Sequence, residues 1–234
     1  MNLNYNSLIK KAHYHNIEKD ILKRILADLK KQGSESLLDV GCGMGEYVKL
    51  FNETGLKFEG VDLSEEMISI ANKNGHHAFT LEELKRSNKR YDIVLISHVI
   101  EHLHYKELID FMHFYIDRLN VNGRLILLSP LLVENFYYDF THERPYYPQA
   151  IWQMFGDYNN SLSVKKKVLI RLDDIYFVKD CFRTRTWRSY YLNQNKLSFS
   201  LTCIYNYFLA SIYLITGARF GKKVSWIGIY KSMV

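Results

Sequence analysis

Apolar positions along the chain follow two rhythms. Compact runs of five to seven residues at 36–40 (SLLDV), 58–62 (FEGVD), 91–97 (YDIVLIS) and 124–129 (RLILLS) have the length and bounding turns of buried strands. Between them, apolar residues recur every three or four positions, as on one face of a helix. A first helix is predicted from about Leu8 to Lys31, with Ile17, Ile21, Leu22, Ile25, Leu26 and Leu29 on one face. Strand one, Ser36 to Val40, leads to a helix beginning near Gly45, and strand two ends at Asp62. Ser64 is the N-cap of a helix over 65–74, and a short third strand covers 76–80. After the fourth strand, Tyr91 to Ser97, comes a helix over 106–119 stopped by Asn122-Gly123. Arg124 to Ser129 forms the fifth strand and Trp226 to Tyr230 the last. Strands alternating with helices imply an α/β fold: a parallel sheet with helices on both faces, binding ligands outside the carboxyl ends of its strands.

Composition is consistent with one domain over 1–234. With 47% hydrophobic residues, 3 Pro and 12 Gly, the chain can bury a core and has no low-complexity linker. It divides into an N-terminal helical cap (1–33), a ligand-binding core (34–130), and a remainder (131–234) holding a long loop, a helical insertion and the last strand. Cys42, Cys181 and Cys203 lack metal spacing and suit a reducing compartment. No metal site is expected. The N-terminus has no basic segment leading into an apolar one, so a cytoplasmic location is expected. Charge is uneven: residues 1–160 carry 18 Lys/Arg against 22 Asp/Glu, and residues 161–234 carry 13 against 3. The basic third could face an anionic membrane, a phosphorylated or nucleotide-linked substrate, or RNA, or be a solvated face.

Candidate chemistry begins where strand one ends. Asp39-Val40-Gly41-Cys42-Gly43-Met44-Gly45 places three glycines at G-x-G-x-G spacing, two residues after an acid. Such a loop lets backbone N–H groups approach a ligand closely. A dinucleotide fold instead uses G-x-G-x-x-G around a pyrophosphate, which a carboxylate here would repel. Asp62, ending strand two, can accept ribose hydroxyls. On these residues the chain resembles the class I S-adenosylmethionine-dependent methyltransferases. The resemblance implies a Rossmann-like fold with a seven-stranded, mostly parallel sheet, a last strand that is antiparallel, and a helical segment inserted before it. It implies S-adenosylmethionine as cofactor, with Asp39 near the ammonium group. Gly41, Cys42, Gly43, Gly45, Asp62, Leu63, Met67, Leu81, Ser97 and His98 would complete the cofactor site.

Two later segments bear on the acceptor. His98-Val99-Ile100-Glu101-His102 matches the H-x-x-E-H zinc pattern formally, yet it follows a strand directly, so His98 falls in a turn. In the methyltransferase resemblance this is the motif after strand four, with Ser97 and His98 lining the cleft and Glu101 and His102 fixing the turn. Past strand five, the segment from Asp139 to Tyr146 resembles a D-x-T-H-x-R-x-Y signature of bacterial methyltransferases, many acting on glycans; that subgroup usually has Pro before the Thr, where this chain has Phe140. His142 is the candidate general base, Asp139 either its orienting partner or a metal ligand beside it, and Arg144 the group for an anionic moiety. His98, His102, Tyr138, Arg144 and Tyr146 are the predicted substrate contacts. O-methylation of a glycan, sugar-nucleotide or lipid-linked saccharide is the leading expectation. A quinone or other small hydrophobic acceptor stands second, and an RNA-binding or non-catalytic cofactor-binding protein is the alternative of another class. Lastly, residues 197–218 carry no charge, and Ser198, Thr202, Asn206, Tyr213 and Thr216 share a face. A core helix covering the sheet is the first reading of this segment, an interfacial membrane helix the second, a true span the third.

Overall fold

The structure is a computed structural model in which residues 17–133, 136–156, 169–184, 192 and 196–233 are described. The elements are α1 (Ile17–Lys31), β1 (Ser36–Val40), α2 (Val48–Thr54), β2 (Lys57–Asp62), α3 (Glu65–Lys73), β3 (Ala78–Thr80) and α4 (Leu81–Arg86). They continue with β4 (Tyr91–Ser97), α5 (Tyr105–Ile116), β5 (Leu119–Pro130), α6 (Pro148–Phe155), β6 (Ile170–Asp180), α7 (Leu197–Ile215) and β7 (Lys222–Ser232). The strands form one seven-stranded sheet in the order β3-β2-β1-β4-β5-β7-β6. Neighbours among β1 to β5 run parallel, whereas β7 lies antiparallel to β5, with Ser129 opposite Trp226 and Leu125 opposite Tyr230. The mostly parallel α/β sheet is therefore as the pattern predicts, and the antiparallel last strand with a helix inserted before it is as the family resemblance implies.

Burial explains the continuous apolar runs. Leu37, Leu38 and Val40 of β1 and Ile93, Val94, Leu95 and Ile96 of β4 are all buried, as central parallel strands require on both faces. Helix α1 buries Ile21, Leu22, Ile25, Leu26 and Leu29, the predicted face. The predicted N-terminal extension of this helix, residues 8–16, lies outside the described residues.

Several boundaries differ from the pattern for local reasons. Helix α2 begins at Val48 rather than near Gly45, because Gly45 sits at φ +83° and the chain is still turning there. Helix α5 ends at Ile116 and β5 already begins at Leu119. The Asn122-Gly123 pair that looked like a helix stop is instead a bulge within β5. Register runs Tyr91 opposite Leu119 and then Ile93 opposite Arg124, with Asn122 at φ +63° in the extra chain. Strand β6 was not foreseen. It alternates poorly and carries Asp173 and Asp174, as an edge strand tolerates; Asp173 accepts an ion pair from Arg124 Nε at 2.8 Å.

The chain divides into two compact units, where composition suggests one: residues 21–176 with 225–234, and residues 1–20 with 177–224. In the second unit Cys181, Ala210 and Tyr213 form a small core with Ile17. Helix α7 is oriented oppositely to a core helix. Its buried positions are Thr202, Asn206, Leu209, Ala210 and Tyr213, while Leu197, Leu201, Ile204, Phe208 and Ile215 are exposed. The polar face turns inward because its groups find partners there: Asn206 Oδ1 accepts from the Thr184 N–H and hydroxyl, and the Tyr213 hydroxyl donates to the Lys179 carbonyl.

Candidate active site

Strand order reverses between β1 and β4, the switch point at which open α/β sheets bind ligands. Gly41 leaves the end of β1 and His98 the end of β4, side by side. Gly41 has φ +70°, and a Cβ there would lie 2.5 Å from Val99 Cγ2, so both conformation and space demand glycine. The loop is then held by Asp62: the Gly43 N–H donates to Oδ2 at 2.9 Å and the Ser64 N–H to Oδ1 at 2.9 Å. Ser64 in turn caps α3 by accepting from the Met67 N–H.

A cavity of about 680 Å³ opens at this point. Of the predicted cofactor residues, Gly41, Asp62, Leu63, Leu81 and His98 line it, as does His102. Phe111, Phe114 and Tyr115 of α5 also line it, three aromatics that sequence reasoning passed over. Their spacing of three and four was the available signal, hidden because it also describes a core face. Asp39, Cys42, Gly43, Gly45, Met67 and Ser97 lie outside this lining. Asp39 is buried, its Oδ2 3.2 Å from His76 Nε2, and burial raises its carboxyl above the usual range despite that partner. His76 Nδ1 is buried with no hydrogen-bond partner among the described residues. Burial likewise pushes the Cys42 thiol up to about 12, which keeps it protonated and unreactive. The Ser97 hydroxyl is 2.8 Å from the Tyr47 hydroxyl.

Next to the cavity, the turn after β4 and the loop after β5 are joined. His98 is held at φ +55°, a strained conformation for a residue with a side chain, and its Nδ1 is 3.2 Å from the fully buried Glu101. Ile100–His102 form a single 3-10 turn, so the H-x-x-E-H residues do not share an α-helix face. The other Glu101 oxygen accepts from the Ser129 hydroxyl, and the Glu101 backbone carbonyl accepts from the Glu143 N–H at 2.8 Å.

Hydrogen bonding fixes the tautomers of two histidines here. His142 Nδ1 lies 2.6 Å from the Phe136 carbonyl oxygen, which can only accept, so Nδ1 carries the proton and Nε2 presents a lone pair. The Thr141 hydroxyl donates to Asp139 Oδ1 at 2.6 Å and must accept from His102 Nδ1 at 2.9 Å, so His102 also presents Nε2. Those Thr141 donors hold the Asp139 carboxyl below its usual range. Asp139 thus orients His102 through Thr141, a link the pattern did not reveal, while standing 4.0 Å from His142 Nε2. The two imidazole rings are 4.8 Å apart. Glu101, His102 and His142 each bring one ligand atom within 4.8 Å of the others. Such a cluster can share a proton or hold a divalent cation; it takes Glu101 and His102 from the H-x-x-E-H segment but joins them to His142 in place of His98.

The remaining predicted substrate residues separate. Tyr138 is exposed, and Arg144 is exposed with its guanidinium over the Tyr146 ring. Tyr146, expected as a substrate contact, is buried, donates its hydroxyl to the Leu103 carbonyl and accepts the Trp226 indole N–H on its own carbonyl. It holds the loop in place.

A doubly wound sheet with a glycine loop, an acid-tipped second strand and a cavity at the switch point defines a Rossmann-like α/β ligand-binding protein. The chain belongs to the methyltransferase domain family, whose model matches residues 11–160. Over 67 residues it is 39% identical to a protein of Geobacillus sp. (strain WCH70) named, without proof, a methyltransferase; the match covers 29% of this chain and 27% of that one. It is 27% identical over 89 residues to a malonyl-[acyl-carrier protein] O-methyltransferase of Serratia marcescens, covering 36% and 35%. The matched segments thus span about a third or less of these two relatives. In fold it is similar to a SAM-dependent methyltransferase from Archaeoglobus fulgidus, with a TM-score of 0.58 and 23% identity over 97% of this chain and 100% of that one.

Proposed function

We propose that the protein transfers a methyl group from S-adenosylmethionine to a hydroxyl of a glycan, sugar nucleotide or lipid-linked saccharide. When bound, the cofactor supplies an electrophilic methyl on a sulfonium. The cavity suits its nucleoside end: Leu63 and Leu81 offer apolar walls for a base, and Asp62 has capacity beyond its two backbone partners to accept ribose hydroxyls. On the acceptor side, His142 Nε2 would take the proton of the hydroxyl to be methylated, leaving its oxygen as the nucleophile for that methyl group. Holding two reactants aligned supplies much of the rate, and the base adds to it.

The bond from His142 Nδ1 to the Phe136 carbonyl supports this role most directly, since it leaves Nε2 as the acceptor. Arg144, nearby on an exposed loop, suits an anionic acceptor such as a sugar phosphate or uronate. A lipid-linked saccharide would bring the enzyme to an anionic membrane surface; a quinone, favoured by the cavity aromatics, is the runner-up acceptor. His142→Ala is expected to lower kcat by about 10²- to 10⁴-fold with cofactor affinity unchanged. Unchanged turnover would remove His142 from the chemistry. The Glu101, His102 and His142 cluster favours a second reading, in which these residues hold a divalent cation that polarises the acceptor. Loss of turnover on chelation, restored by Mg²⁺ or Mn²⁺, would select it.

A further inference from the structure

We propose that the outward face of α7 docks in the plane of an anionic lipid bilayer. Leu197, Leu201, Ile204, Phe208 and Ile215 follow one another at spacings of four, three, four and seven, which places them on a single helical stripe. They are 77%, 57%, 65%, 58% and 84% exposed, and the buried Thr202, Asn206 and Tyr213 lie on the opposite side. A helix covering a water-soluble domain shows the reverse arrangement. Inversion here is specified by hydrogen bonds, for turning the helix over would strand Asn206 and Tyr213 from Thr184 and Lys179. A continuous apolar stripe of this kind marks an interaction surface.

Charge selects the occupant. From residue 181 to 234 the sequence has no Asp or Glu and eight Lys or Arg. Lys196 stands at the N-cap of α7, and Arg219, Lys222 and Lys223 follow its C-terminal end, all exposed, so cations bracket the stripe at both ends. An apolar face flanked by bases matches acyl chains beneath anionic headgroups. A second copy fits poorly, because antiparallel pairing of two such helices would bring the basic ends together. A bilayer span fits poorly too, since the inward face is committed to hydrogen bonds within its own unit. The inference is independent of which acceptor is methylated.

Flotation of the full chain with vesicles of phosphatidylcholine alone, and of phosphatidylcholine mixed equally with phosphatidylglycerol, tests this. Binding to the anionic vesicles is expected to be at least about tenfold tighter and to weaken with salt. The double variant Leu201→Glu, Phe208→Glu should lose binding, and Lys222→Glu with Lys223→Glu should weaken it about tenfold, each keeping the cofactor affinity of the parent. Phe208→Trp is a conservative check, and brominated lipid should quench its emission beyond that of the parent. The proposal is overturned if the parent ignores anionic vesicles or if the Glu variants bind equally well. It is equally overturned if the tryptophan stays unquenched, or if sedimentation shows a dimer that the double Glu variant dissolves.

Discussion

At the scale of single residues, the cofactor loop is specified by steric demand. Gly41 combines φ +70° with a 2.5 Å approach of its missing Cβ to Val99. Gly41→Ala is expected to cost about 1–2 kcal/mol from the left-handed backbone alone, more with the clash, and to weaken cofactor binding at least about tenfold. Thermal unfolding and calorimetry would show both effects, and a neutral result would remove the glycine from its assigned role. Asp39 makes a different demand. Burial raises its folded-state pKa, so the stability it allows is greatest below its ordinary value of 3.8 and is lost as pH rises through the raised value. Asp39→Asn should therefore stabilise the fold at neutral pH, with the gain vanishing near pH 3. A melting temperature shift of the same size at both pH values would contradict that. The loop and Asp62 were legible in the chain because their constraints are local. The bond from His142 to the Phe136 carbonyl and the relay through Thr141 were not, since their partners meet only in the folded loop.

At the scale of elements, the loop after β5 is held by three backbone acceptors. Glu101 O receives the Glu143 N–H, Leu103 O the Tyr146 hydroxyl, and Tyr146 O the indole of Trp226. The turn after β4 and the antiparallel strand β7 thereby position the loop that carries His142. Tyr146→Phe removes one of these bonds and leaves the partly buried Leu103 carbonyl short of a partner, which should cost about 1 kcal/mol in urea unfolding. It should also lower kcat more than it changes cofactor affinity, whereas a direct substrate contact would raise KM instead. Strands β1, β2, β4 and the inner part of β5 could be read from sequence, because buried parallel strands are continuous apolar runs. Strand β6 could not, as an edge strand carrying Asp173 and Asp174 lacks that signature. In the same way the β5 bulge was mistaken for a helix stop, for Asn-Gly satisfies either.

At the scale of the whole molecule, fold class followed from the alternation of strand and helix, and the donor from a short acid-and-glycine motif placed at a strand end. The acceptor was less legible, because the residues proposed to meet it come from a turn, a loop and a helix far apart in sequence. Hydropathy also located α7 and its polar stripe but could not say which side faces inward; hydrogen bonds from Thr184 and to Lys179 decide that. The central claim is that the cavity between Gly41, Asp62, Leu81 and His98 takes S-adenosylmethionine. Titration calorimetry of the folded chain with S-adenosylmethionine and S-adenosylhomocysteine measures it directly. The account predicts one site per chain with a dissociation constant on the order of micromolar, weakened by Gly41→Ala and by Asp62→Ala. Absence of heat with either compound, in protein whose fold is verified by its unfolding transition, would contradict it.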